Sequence, residues 1–191
     1  FEGMRRGQFE AWSEAACASY FDDLAGAVLD GRNLVAEKYI HMMKNSEPGR
    51  YEKLAELIPM PGGEARTLAQ EISDKLLEQT VVLFETYPHV SGAGRPLRSA
   101  SDLSGVTSIE TYQLGELYTY SAKTLEALRA HLLALAAEGR SLAREILENS
   151  VRHYGYPSLD EAEAAAKRRA EAEGVEVTFN NDGSTTTRVH L

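Results

Sequence analysis

The sequence predicts a mainly all-α protein, a helical bundle from two pseudo-repeated helical hairpins plus a small C-terminal β-hairpin. Leucines recur at spacings of three and four over long stretches, which is the period of an amphipathic helix. A stretch at the N-terminus also matches one in the middle of the chain. Residues 175–191 instead resemble two short strands around an Asn-Asn-Asp-Gly turn, a typical hairpin pattern.

Start and stop signals place the elements along the chain. Gly31, Gly139 and Gly155 are suited to left-handed helix ends, Pro48 suits a first helical turn, and Ser158 begins a capping box. We therefore predict helices over about 1–29, 32–44, 48–57, 64–86, 108–138, 140–154 and 159–173, with a loop over 88–105 and the hairpin over 175–191.

The predicted domain organisation is one bundle domain over 1–157, with 158–191 as a C-terminal helix and β-hairpin extension of the same domain. The helix over 159–173 is polar nearly all round, so we expect a peripheral, solvated arm.

Composition excludes several classes of partner. The 191 residues include 29 acidic and 20 basic side chains, and the net charge of −9 argues against nucleic acid or an anionic membrane as partner. No apolar run approaches the roughly 18 residues of a membrane span. A single cysteine, Cys17, excludes an internal disulfide or a cysteine cluster and favours a reducing, cytoplasmic location.

An internal repeat appears when the chain is shifted by 108 residues. Eight of the 37 positions from 1 to 37 are then identical, against roughly two or three expected from composition. Such hairpins would pack about a pseudo-twofold axis. Glu2 with Glu110, and Glu37 with Glu145, would then form two carboxylate layers, with Arg32 and Arg140 nearby.

The stretch 108–121, SIETYQLGELYTYS, is the main candidate site. Glu110 falls on the leucine stripe, where a carboxylate is costly unless it is paired, hydrogen-bonded or used. We predict Glu37, Glu110 and Glu116 as catalytic acid–base groups, because a carboxylate in an apolar bundle has a raised pKa. The predicted substrate-binding residues are Arg32, Tyr39, His41, Tyr112, Tyr120 and Arg140.

Two alternatives to this chemistry stay open. A buried network of glutamates with arginines and tyrosines could simply hold the two halves together. Glu37 and His41 lie four apart on one helix face, but the Glu-x-x-His spacing of bundle metal sites is absent. We therefore expect no metal and no cofactor.

Four stretches carry a family resemblance: MRRGQFEAW, SYFDDLAGAVLDGRNLVAEKYIHMM, SIETYQLGELYTYS and YGYPSLDEA. Together they resemble the bacterial domain-of-unknown-function family 4125, over nearly the whole chain to about Ala165. The resemblance implies a mostly helical bacterial domain and no particular reaction. The residues to which it points are Arg5, Gln8, Tyr20, Asp23, Arg32, Asn33, Glu37, Lys38, Tyr39, Glu110, Tyr112, Glu116, Tyr120 and Ser121.

The sequence leaves two functions open. The first is a cofactor-independent, lyase- or cyclase-like enzyme that uses acid–base chemistry on a small polar, amine-containing metabolite, as in bacterial natural-product biosynthesis. The alternative is a non-catalytic helical module with a structural polar network, which would bind a partner protein or form a homodimer through the C-terminal helix and hairpin.

Overall fold

The computed structural model describes residues 2–92, 94–180 and 185–189 and confirms the mainly all-α fold. Ten helices and one hairpin lie within these ranges. They are α1 (Glu2–Glu10), α2 (Glu14–Leu29), α3 (Leu34–Ser46), α4 (Pro48–Ala55), α5 (Gly63–Thr86), α6 (Pro88–Gly92), α7 (Ile109–Leu117), α8 (Ala122–Ala137), α9 (Leu142–His153), α10 (Leu159–Ala172), β1 (Val175–Phe179) and β2 (Thr185–Val189). None of these helices is long and apolar enough to cross a membrane.

The two longest predicted helices are each broken in two, so the predictions of continuous helices over 1–29 and 108–138 are wrong. Ser13 and Ser121 have extended backbones, and their side chains accept hydrogen bonds from the amides of Ala16 and Thr124. Each serine is therefore the N-cap of a new helix, α2 or α8. Helical periodicity continues across each break, through apolar residues such as Phe9, Trp12 and Ala16 in the first helix and through leucines in the second, which is why the sequence alone did not show the breaks.

The helix bounds repeat along the chain. Subtracting 108 from the bounds of α8, 122–137, gives 14–29, which are the bounds of α2. In the same way α9 corresponds to α3, and α7 to α1, within one residue at the ends. Gly31 and Gly139 both adopt positive φ, 66° and 72°, at the equivalent corners. The predicted duplication is therefore visible in the backbone.

The packing of the two repeats is reciprocal. Helix α1 packs on α9, the equivalent α7 packs on α3, and α2 packs on α8. A Cβ on Gly7 would lie 2.6 Å from Ser150 Oγ, and a Cβ on Gly115 would lie 3.0 Å from Met42 Cγ. Because 150 minus 108 is 42, the two contacts are equivalent, as a pseudo-twofold axis requires.

Helix α5 has no counterpart among the described elements and lies against α7, α8 and α9. Its buried side contributes Ala69, Ile72 and Leu76 to the main core. This core continues through the leucines of α8 to the rings of Trp12 and Tyr120 at the two helix breaks.

The C-terminal part of the described chain is packed on the bundle. Leu159 and Ala162 of α10 are buried against α5 and α9, so the prediction of a solvated arm is wrong. Phe179 of β1 contacts Phe84 of α5, with ring centroids 5.5 Å apart. The predicted loop over 88–105 contains α6 and a short 3-10 helix, Ser99–Ser101. Most of the predicted hairpin turn lies outside the described residues.

Candidate functional site

A group of buried and partly buried polar side chains surrounds Glu116, where the two repeats meet. Helix α7 carries Glu116 close to α3 because its neighbour, Gly115, has no side chain and allows close contact with the backbone of Lys38. We call this group the Glu116 cluster, and its members are Arg5, Gln8, Tyr20, Lys38, Tyr112, Glu116 and Tyr120.

The Glu116 carboxylate accepts hydrogen bonds from four side chains. Lys38 Nζ donates to Oε2 at 2.6 Å. Oε1 accepts from Tyr120 Oη at 2.5 Å, from Gln8 Nε2 at 3.3 Å and from Arg5, which also forms an ion pair with it. A carboxylate has about four acceptor positions. The chain's own donors therefore satisfy this buried group.

These contacts set the protonation state of the cluster. Burial alone would raise the pKa of Glu116, but the charges of Arg5 and Lys38, with the hydrogen bonds from Lys38 and Tyr120, lower this pKa to about 2. Burial and the neighbouring carboxylate raise the pKa of Tyr120, so its hydroxyl stays a donor. The prediction that this carboxylate has a raised pKa is wrong, because its cationic partners outweigh its desolvation.

Aromatic rings surround the charges. The ammonium of Lys38 lies 3.4 Å from the centroid of the Tyr112 ring, and the guanidinium of Arg95 lies 4.8 Å from the same centroid. Tyr20 and Tyr120 are 4.9 Å apart between centroids, and Trp12 packs edge-on against both. Lys38 is thus held between a carboxylate and an aromatic face, which is a favourable environment for a buried cation.

The other two predicted carboxylates lie in separate networks. Glu37 is buried and accepts two hydrogen bonds from Arg32, at 2.9 and 2.7 Å. Glu110 accepts from the amide of Ser99 at 2.7 Å and so fixes the segment before α7. Neither shares a described hydrogen-bond partner with Glu116. The structure therefore brings only one of the three carboxylates into the cluster.

The predicted carboxylate layers are not formed. Glu145 bonds to Arg140 on the surface, as Glu37 bonds to Arg32 in the other repeat. These two pairs are equivalent, but each is local to its own repeat. Two pairs of residues 108 apart do contact each other across the axis: Gln8 with Glu116, and Trp12 with Tyr120.

Tyr112 and Tyr120 are the two predicted binding residues that belong to the cluster. Tyr39 is exposed on α3, and Arg140 is exposed beside Glu138 and Glu145. His41 is buried with its ring 5.4 Å from that of Tyr118, and its Nε2 has no hydrogen-bond partner in the structure. Burial lowers the pKa of this imidazole.

An open groove lies elsewhere on the molecule. It has a volume of about 650 Å³ and is lined by Gly63, Arg66, Thr67, Gln70, Glu71, Asp74 and Tyr118. No member of the Glu116 cluster lines it. Among the described residues, no group of three or more His, Cys, Asp or Glu side chains is placed to hold a metal ion.

Reasoning from the residues alone did not select Arg5, Gln8, Tyr20 or Lys38 for the site. All four lie in the motifs that carried the family resemblance. The repeat also contained a signal, since the shift of 108 that pairs Gly7 with Gly115 pairs Gln8 with Glu116. This pair does not count among the eight identities, because a glutamine corresponds to a glutamate.

These observations define the class of protein: a two-repeat helical bundle with an ionised carboxylate buried on its pseudo-twofold axis. The chain belongs to the family described as Protein of unknown function (DUF4125), whose model matches residues 1–164 of the 191. No similar sequence was found among curated proteins, and no similar fold among solved structures.

Proposed function

We propose that this domain is a non-catalytic helical module that binds another protein, and that the Glu116 cluster holds its two repeats in register. The observation that carries the proposal is that the buried Glu116 is bonded to four side chains of its own chain, two of them cationic. A general base works best with a pKa near the working pH. Glu116 has four donors from its own chain and a pKa of about 2.

The surface supports the binding part of the proposal. Phe21, Val28 and Leu29 on α2, with Val35 on α3, are among the large apolar side chains that are mostly exposed. Apolar residues concentrated on one side of a protein are typical of interaction sites. The C-terminal helix and hairpin, through which the sequence predicts a partner protein or a second copy to bind, are a second surface for testing.

The experiment that tests the structural role is the substitution Glu116→Gln. A carboxylate that holds a buried cation, Lys38, and a partly exposed one, Arg5, should be costly to neutralise, so we expect a large fall in the melting temperature. An unchanged melting temperature would contradict the proposal. The glutamine keeps the size of the side chain, so a loss of stability reports the charge rather than a cavity.

An acid–base enzyme acting on a small polar metabolite is the second candidate. One observation favours it: the Arg5 side chain is 27% exposed, so the cluster reaches the solvent at one end. In such an enzyme, the wild type would turn over the metabolite and Glu116→Gln would abolish that turnover, whatever the variant does to stability. Turnover therefore separates the two candidates, and the melting temperature tests the structural role.

A further inference from the structure

Helix α5 covers one face of the second repeat. Glu71 of α5 forms an ion pair with Arg129 of α8, at 2.7 Å. Gln79 of α5 accepts from the amide of Ala143 at 3.0 Å, close to the N-terminus of α9. Leu147 of α9 packs against the cluster that contains Leu83 of α5. The contacts that α5 makes with the second repeat therefore indicate what kind of element fits the equivalent face of the first repeat.

The equivalent face of the first repeat has no helix over it in the described structure. Subtracting 108 from Leu125, Arg129, Leu132, Ala143 and Leu147 gives Cys17, Phe21, Leu24, Val35 and Tyr39, and we call these five residues the α2/α3 face. Among described elements, α2 packs extensively only on α8, and α3 only on α4 and α7.

The exposure of equivalent residues differs sharply between the repeats. Leu132 is 1% exposed beneath α5, whereas its counterpart Leu24 is 40% exposed. Phe21 is 70% exposed, Val35 55% and Tyr39 45%. A row of exposed apolar side chains, spaced as a helix–helix contact requires, is unusual on a surface without a partner.

Charges around the α2/α3 face restrict what can bind there. Glu14 is exposed on α2 beside it, and Asp22 is exposed there too, in an ion pair with Lys123. Phe21 replaces Arg129, so the residue that opposes it should be apolar rather than acidic like Glu71. Two copies meeting through this face would bring their acidic residues together, and each chain already carries a net charge of −9. A basic partner avoids this repulsion.

We propose that the α2/α3 face binds an amphipathic helix of a partner protein, in the position that α5 takes on the second repeat. This inference rests on the proposed binding function and specifies its partner. The partner helix has an apolar stripe about as long as the 24-residue α5 and basic residues along its flank. An amide side chain such as that of Gln79 would accept from the Val35 amide at the start of α3.

A peptide provides the test. The probe has the sequence of residues 63–86 with Glu71→Leu and Asp74→Lys, which supply the apolar and basic groups that the face requires. Cys17 lies on the face and is the only cysteine in the chain, so its alkylation by iodoacetamide reports whether the face is covered. We expect the peptide to bind with 1:1 stoichiometry and to slow this alkylation at least tenfold.

Matched variants separate this face from other surfaces. Phe21→Glu should weaken peptide binding by at least about tenfold, as loss of a central apolar contact does. Val82→Glu, which changes an exposed apolar residue of α5, should leave binding unchanged. Both positions are exposed, and unchanged melting temperatures would confirm that each variant still folds.

Three outcomes would overturn the inference. They are no protection of Cys17 by the peptide, equal binding by the Phe21→Glu variant, and a concentration-dependent dimer that Phe21→Glu abolishes, which would make a second copy the occupant. The structural role of Glu116 is measured without the peptide. Loss of stability in Glu116→Gln with no peptide binding would refute only the inference about this face.

Discussion

Replacing Glu116 with glutamine should destabilise the protein by several kcal/mol. The variant keeps the shape of the side chain but removes the charge that Lys38 and Arg5 face. Lys38 is itself buried, so it would be left as a cation without its anion. Breaking a buried ion pair by removing one partner typically costs about 3–5 kcal/mol.

The pKa gives a second route to this magnitude. The pKa of Glu116 falls from 4.5 to about 2 in the folded chain. At about 1.4 kcal/mol for each pKa unit, the ionised form is favoured by roughly 3 kcal/mol. In a chain of this size, 1 kcal/mol moves the melting temperature by about 2–4 °C, so we expect a fall of roughly 10 °C.

The assay is urea denaturation, with scanning calorimetry for the melting temperature. The control is Glu145→Gln, because Glu145 forms a partly exposed ion pair with Arg140. Such pairs contribute less than about 1 kcal/mol. If Glu116→Gln lost no more stability than this control, the cluster would not be holding the repeats together, and the reasoning would be refuted.

A second substitution tests whether charge on the axis is the cause. Gln8 is the counterpart of Glu116, and its Oε1 already accepts from Arg5 at 3.1 Å. Adding Gln8→Glu to Glu116→Gln returns a carboxylate to Arg5 from the other side of the axis. We expect the double variant to recover part of the lost stability. A double variant less stable than Glu116→Gln would show that the stability depends on the position of the carboxylate and not only on its charge.

Three further predictions follow from the same contacts. Because the pKa of Glu116 is lowered by folding, its stabilisation is complete above about pH 4.5 and is lost as pH falls towards 2, so the difference in unfolding free energy between wild type and Glu116→Gln should shrink over that range. Gly7→Ala should cost about 1–3 kcal/mol in urea denaturation, since its Cβ would lie 2.7 Å from the backbone nitrogen of Ser150. The control Gly26→Ala has open space and should stabilise by about 0.5–1 kcal/mol, and equal effects would contradict the close-packing argument. His41→Phe should be neutral or stabilising by about 1 kcal/mol in the same assay, because it removes a buried nitrogen without a hydrogen-bond partner. A loss above about 2 kcal/mol would contradict this and show that the imidazole makes a stabilising contact.

Much of the fold follows from local signals. The bounds predicted for α5 and α10 differ by about one residue from those in the structure, because glycine, proline and capping residues mark their ends. The breaks at Ser13 and Ser121 were missed for a physical reason. A serine N-cap inside a continuous helical period is indistinguishable in sequence from a serine on the solvated side of one long helix.

The site was harder to predict because periodicity gives the face of a residue and not its partner. Glu110 lies on the predicted stripe, yet it accepts from the backbone of Ser99 instead of joining Glu116. The ion pair of Lys38 with Glu116 joins residues 78 apart, and no local pattern encodes that contact. Only the internal repeat carried information over such a distance.

The repeat also explains why the polar residues at the axis differ. Two side chains related by a twofold axis and in contact cannot both be carboxylates without strong repulsion, unless one of them holds a proton. Gln8 and Glu116 resolve this conflict: one is an amide and donates to the other at 3.3 Å. Lys38 likewise corresponds to an uncharged residue, Ile146. The buried cation and the carboxylate therefore both lie where α3 packs on α7, and the equivalent positions where α9 packs on α1 carry neither. The identical glycine pairs therefore mark close helix contacts and corners, whereas the unequal pairs Gln8–Glu116 and Trp12–Tyr120 mark residues that meet at the axis.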